Sequence, residues 1–229
     1  MLATGKNRNL VNPMGGGEAS ADFVGGGLAA LLAVGESFGR TRVPYGHAEV
    51  YRDRFGGEPV FRSYLGTTSG SILPAVARNF MTNGFVALFP RELLERFGGF
   101  DEHFYYGEDF DLTLRAAIAM PYEYLDTCVY RVRNHGLNRH KAYPTEAAAQ
   151  YCEVVNRAFA GRWSLRNRIL ARRSKAHWEW VIGCSMERGG QRGLAVGHFR
   201  RATFHWPLHR GAWGGLGRIL RSSMKNPRG

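Results

Sequence analysis

Apolar positions change rhythm several times along this chain, and each change predicts an element. Residues 1–18, with Asn7, Asn9, Asn12, Pro13 and Gly15–Gly17, keep no period and read as loop or frayed terminus. Residues 23–35 suit a short helix, although Gly25–Gly27 weaken its start. His47–Arg52 alternates as a strand does, and Arg54–Glu58 carries the Gly-Gly of a turn. Ser71–Asn79 predicts a helix that tolerates Pro74 near its first turn. Thr82–Phe89 is mostly apolar, with Gly84 where a side chain would obstruct close backbone approach, and predicts a buried strand.

The run PRELLERF, residues 90–97, predicts an amphipathic helix opened by Pro90, with Leu93, Leu94 and Phe97 on one side and Gly98 ending it. A further helix over 109–119 has Glu108 or Asp109 near its start, where the dipole favours negative charge, and Leu112, Leu114 and Ile118 on its apolar side. Tyr122–Val132 is strand-like, 135–143 a polar loop, and 145–160 a helix following Pro144. Beyond it, Ala176–Met186 and Leu194–Thr203 flank Gly189–Gly190 as a helical hairpin, and a shorter helix near Trp213–Leu220 follows Pro207. The succession W…G…GG…A…HFRRA…WPLHRGAW in this tail resembles one unit of a tetratricopeptide-like repeat. A single unit cannot bury its own face, so the pattern fits a hairpin packed on the body better than a peptide-binding array.

Composition narrows the class. The 229 residues suffice for one large domain, or one domain with an appendage, and 44% hydrophobic content excludes wholesale disorder. The longest apolar run, Phe23 to Val34, is shorter than the roughly 20 residues a bilayer span requires. No segment has the order of a signal peptide, and Cys128, Cys152 and Cys184 lack metal-type spacing. Reduced thiols and a cytoplasmic location are expected. The net charge of +12 is uneven: from Arg157 onward 16 Lys and Arg face only Glu179 and Glu187, whereas the preceding residues balance at −2. Chemistry is therefore expected in the near-neutral body, and attraction to an anionic partner in the tail.

The stretch GGFDEHFYYGEDFDLTLR, residues 98–115, is where chemistry is most legible. Asp101–Glu102 and Glu108–Asp109 are interleaved with Phe and Tyr, which draw the segment into a core or cleft. A carboxylate held partly out of water can be tuned into a general base.

With the strand before it, this stretch resembles the acceptor-side half of family 2 glycosyltransferases. The matching motifs are R-x-x-x-x-x-x-G-G-F-D-E at Arg91 and Gly98–Glu102, and E-D-x-D-L-x-x-R at Glu108–Arg115. Tyr130 and Arg131, followed by a displaced His135, resemble the family's Y-R-x-H, and the whole likeness covers roughly residues 28–140. It implies an α/β fold: a partial three-layer α/β/α body of the GT-A type with a mixed sheet over residues 23–143. A poorly structured segment, 1–22, precedes the body, and a basic helical extension, 144–229, follows it. It implies metal-assisted inverting transfer of a sugar from a nucleotide-sugar donor to a hydroxyl acceptor, a glycan or a lipid-linked molecule.

By that resemblance Asp109 is the general base and Glu108 flanks it. Asp101, Glu102, Gly84 and Arg131 serve substrate binding, while His135 and Asp22 help hold a divalent Mn²⁺ or Mg²⁺. Asp111 and Arg115 are expected to cap and brace the helix. Two plainer readings stand beside these: Asp109 as an N-cap only, worth about 1 kcal/mol, and His135 as a solvated loop histidine. Asp109–Phe110–Asp111 spells D-x-D, the string often cited for metal binding, but the family's metal pair lies earlier, at the end of a strand.

The family's donor-binding half comprises a strand, a Thr/Asn-rich turn and two further strand–helix units, each of about 30 residues. Here only about 20 residues precede the corresponding place, where Asp22 remains of the acidic pattern. The expectation is a fragment of a longer enzyme or a product that has lost its donor half. A second class of reading is a non-catalytic remnant or interaction module. For the tail, Arg162, Arg166, Arg168, Arg172, Arg173 and Lys175 beside Trp163 and Trp178 suit an anionic membrane surface. There each basic residue contributes about 1 kcal/mol. Nucleic acid is less favoured, since no recognition motif accompanies the charge. A solvated Arg-rich helical face is the third reading, 27 of the 31 basic residues being Arg.

Overall fold

The structure, a computed structural model, describes residues 21–52, 58–63, 69–78, 87–134, 145–162 and 164–225. It is α/β, and its strands and helices divide between two compact units. The first comprises residues 1–76, 80–100 and 115–138, and the second residues 77–79, 101–114 and 139–229.

The first unit is built on a four-stranded sheet in the order β1-β4-β2-β3. Its strands are β1 (Ala21–Phe23), β2 (Val43–Arg52), β3 (Phe61–Ser63) and β4 (Tyr122–Asn134). The central pair β2 and β4 is parallel, and both outer pairs are antiparallel, so the sheet is mixed. Val43, Tyr45 and Ala48 of β2 are fully buried, as expected of a strand with a parallel neighbour. The register slips between Tyr45 and Ala48, at a bulge.

Helix α1 (Gly25–Ser37) begins where three glycines reduce intrinsic helicity. For Gly27 the reason is close packing: a Cβ there would lie 2.0 Å from the carbonyl oxygen of Cys128 in β4. The predicted helix over 71–79 is shorter, α2 (Leu73–Val76). The predicted strand 82–89, Gly84 included, lies largely outside the described residues, although Ala87 bridges Tyr45. The turn at 54–58 and the loop at 135–143 lie outside them too, apart from Glu58. Helix α3 (Arg91–Phe97) follows PRELLERF, with Pro90 at the cap position rather than inside the first turn.

Among its described residues the second unit is mostly helical, the acidic loop being the main exception. Helix α4 (Glu108–Ala119) starts there, and α5 (Thr145–Ala158), α6 (Leu165–Arg188), α7 (Arg192–His205) and α8 (Arg210–Lys225) complete it. Helix α6 starts well before the predicted Ala176, at a Ser164 cap whose hydroxyl accepts the Asn167 amide at 3.2 Å. Gly190, at φ +78°, closes the α6–α7 turn. Phe199 fills the space left by two glycines: a Cβ on Gly183 or Gly215 would lie 2.7 or 2.5 Å from its ring. Glu179 is buried between α6 and α7, where His198 Nδ1 lies 2.7 Å from one carboxylate oxygen and Arg201 Nε is 3.1 Å from both.

Trp178, expected beside the arginines at a surface, is instead a core residue, 2% exposed and stacked on Tyr151 with ring centroids 3.4 Å apart. Trp163 lies outside the described residues. Among the described residues no helix is long and apolar enough to cross a membrane.

Candidate functional site

The acidic stretch is held in two places. At its start, α3 ends on Gly98 and Gly99, at φ +71° and +73°, and the Gly99 amide returns to the Leu94 carbonyl at 2.9 Å. Arg115 ties this corner. Its guanidinium donates to the carbonyls of Phe97 and Gly99 at 3.0 and 2.9 Å and lies over the Phe97 ring. The final Arg of the second motif thus braces the glycines of the first.

The loop from Asp101 to Gly107 is held by α5. One Asp101 oxygen accepts the His103 amide at 3.0 Å, making an Asx turn, and the other accepts Arg157 Nη1 at 3.1 Å. Arg157 also donates to Glu153 at 2.5 Å and lies over the buried Phe104 ring, 4.9 Å from its centroid. Gln150 Oε1 accepts the amides of both Tyr105 and Tyr106, at 2.9 and 2.8 Å. Gly107 follows at φ +87°, where a Cβ would lie 2.7 Å from the Tyr151 ring.

Glu108, Asp109 and Asp111 then occupy the first turn of α4, where unpaired amides and the helix dipole favour carboxylates. Asp109 lies inside that turn rather than at its cap, half-buried, with the Phe110 amide 2.7 Å from Oδ1. Phe110 anchors the turn against Trp178 and Tyr151, at centroid distances of 5.2 and 6.0 Å. Glu108 and Glu102 are exposed and Asp111 is buried. The second unit therefore assembles Asp101, Glu102, Glu108 and Asp109 on one braced loop.

Other expected site residues belong to the first unit. Asp22 pairs with Arg131 in the β1–β4 register, and Arg131 pairs onward with Glu49 of β2. The Arg131 guanidinium is 3.7 Å from the Glu49 carboxylate and half exposed. Gly84 and His135 lie outside the described residues.

Sequence reasoning missed Gln150, Glu153 and Arg157. Their three- and four-residue spacing puts them on one helical face, but spacing cannot say what that face holds. It also missed the closeness of His47, Glu49 and Cys128, whose ligand atoms lie within 4.8 Å of one another. A second such group is Cys152, Glu179 and His205. Neither is the oxygen-rich shell that Mg²⁺ or Mn²⁺ prefers; a nitrogen, oxygen and sulfur set suits zinc-like ions better. Tyr51 already donates to Glu49 at 2.7 Å, and Glu179 is engaged by Arg201 and His198. Burial also pushes the Cys128 and Cys184 thiols up and Cys152 up to about 12, so none of the three is primed as a thiolate.

No protein-family model, curated protein or solved structure matches this chain.

Proposed function

We propose that this chain carries the acceptor side of a family 2-type, inverting glycosyltransferase, with Asp109 as the general base. One observation carries the reading: a half-buried carboxylate in the first turn of a helix, at the end of a loop fixed by Gln150 and Arg157. A base must be held still within reach of the hydroxyl it deprotonates, and this loop is braced in that way. The parallel β2–β4 pair with α1 on it supports a GT-A-like, layered α/β body for the first unit.

In this reaction Asp109 takes the proton of the acceptor hydroxyl as its oxygen bonds to the anomeric carbon. The bond from that carbon to the nucleoside diphosphate breaks on the opposite face, inverting the centre. Asp101 is spanned by Arg157 and shapes the loop; Glu102 and Glu108 are exposed, and on this reading Glu102 would meet the acceptor and Glu108 would flank the base. A divalent ion, when bound, would supply the positive charge that the departing diphosphate requires. By the family resemblance Asp22 and His135 would hold it.

The test uses the full chain with UDP-, GDP- and dTDP-sugars in the presence of Mn²⁺, read by calorimetry and by sugar transfer. Binding and turnover are expected for one donor. Asp109→Asn should lower turnover by at least about 100-fold with donor affinity unchanged, the scale of general-base catalysis. Absence of donor binding sinks autonomous catalysis, and unchanged turnover in Asp109→Asn sinks the base assignment.

A further inference from the structure

Helix α8 has more apolar surface than its packing uses. Ala212, Gly215 and Ile219 form the line along α8 that faces inward. Trp213, Leu220 and Met224 form a different line, seven and four residues apart, and are 56, 65 and 82% exposed. Phe204 near the end of α7 and Leu208 in the following turn are exposed to a similar degree. Between the two helices runs an open groove of about 760 Å³, lined by Val196, Arg200, Phe204, Trp213, Leu216 and Leu220.

Beside the apolar line lies a cationic one, Arg210, Arg218 and Arg221, all exposed. Glu187 engages Arg218 at 2.6 Å from the neighbouring helix. From Arg192 to the last residue the chain has eight Lys and Arg and no Asp or Glu.

We propose that this α7–α8 face docks on an anionic lipid bilayer. Helix α8 lies in the headgroup plane, with Trp213, Leu220 and Met224 entering the acyl boundary and Arg200, Arg210 and Arg221 against lipid phosphates. This inference stands independently of the transferase reading. An amphipathic helix of low mean hydropathy, with Trp and Leu on one line and Arg on the next, has the chemistry of an interfacial segment. Arginine stems lie along apolar surface while their heads reach phosphate, and Trp favours the interface.

Charge decides against the other occupants. A second copy of the same face brings like charges together. A nucleic acid offers phosphates but no apolar phase for Leu220 and Met224. A bilayer containing anionic lipid offers both.

The experiment is co-sedimentation of the full chain with phosphatidylcholine vesicles with and without phosphatidylglycerol. Binding is expected with phosphatidylglycerol and should weaken as salt shortens the Debye length from about 10 Å at 0.1 M to about 3 Å at 1 M. Arg210→Gln and Arg221→Gln should each weaken it roughly fivefold, the equivalent of one cation at an anionic surface. The pair Leu220→Ser and Met224→Ser should lower binding at least about tenfold. Both side chains are exposed, so its circular dichroism and thermal midpoint should match the parent chain.

No binding to phosphatidylglycerol vesicles overturns the proposal. So does unchanged binding by the serine pair, which would leave charge alone as the cause. If the chain instead self-associates in sedimentation equilibrium, binds no vesicles, and loses self-association in the serine pair, the face is an interface between copies and the proposal is wrong.

Discussion

Gly107 shows how a single position in the acidic stretch is fixed by what surrounds it. In sequence it is the unremarked centre of YYGED. In the structure it needs both a left-handed backbone and the absence of a side chain, because φ is +87° and the Tyr151 ring occupies the Cβ position. Gly107→Ala should therefore cost about 2–4 kcal/mol, strain and overpacking acting together. Gly99→Ala separates the two causes. Its φ of +73° is equally left-handed but its Cβ would meet open space, so about 1–2 kcal/mol is expected. Urea denaturation of both variants checks the difference, and equal losses would mean that Tyr151 yields freely.

Elements were legible where pattern alone builds them and obscure where neighbours do. PRELLERF announced α3 because its leucines recur with helical spacing before a glycine stop. The first half of α6 was missed because Arg166, Arg168, Arg172 and Arg173 dilute the apolar period, leaving the Ser164 cap as the main signal. The glycines opening α1 counted against a helix by propensity, yet Gly27 is what lets that helix approach β4. The joint between α6 and α7 was invisible for another reason: Glu179, His198 and Arg201 sit on separate stretches of sequence, and only the folded hairpin brings them together. Glu179→Ala removes the buried carboxylate that both His198 and Arg201 engage, although Arg201 Nη2 still lies 2.8 Å from His198 Nδ1. Arg201 is half exposed, so thermal and chemical denaturation should show a loss of about 1–3 kcal/mol, the scale of a buried hydrogen-bonding group losing a partner.

For the molecule as a whole, the histidines of the helical unit give stability a direction in pH. Burial holds His177 down to about 4, with His209 adding to the effect, and lowers His205 and His209 too. Between an ordinary histidine value near 6.5 and about 4, the unfolded chain binds protons that the folded chain does not. Stability therefore falls as pH drops through that window and stops falling on this account below about 4. Glu153 acts in the same sense. Burial would raise it, but Arg157 and His103 outweigh that and hold it low, so its contribution is lost as pH falls. Denaturant midpoints at pH 7.5, 6 and 5 should descend in that order, and His177→Gln should flatten the descent. A His177→Gln profile as steep as the parent's would move the cause to His205 and His209.

The motif spanning Gly98–Arg115 could be recognised as one string, but its supports could not, since they come from α5 and from the far end of the motif itself. Tyr105 and Tyr106 hang from Gln150, and Asp101 from Arg157, so the carboxylate loop is scaffolded by a segment that composition alone would assign to a basic appendage. The practical unit of inheritance is thus the loop together with α5. A graft that replaces everything after residue 144 with a foreign sequence would keep every letter of the acidic motif and discard the frame that gives those letters a shape.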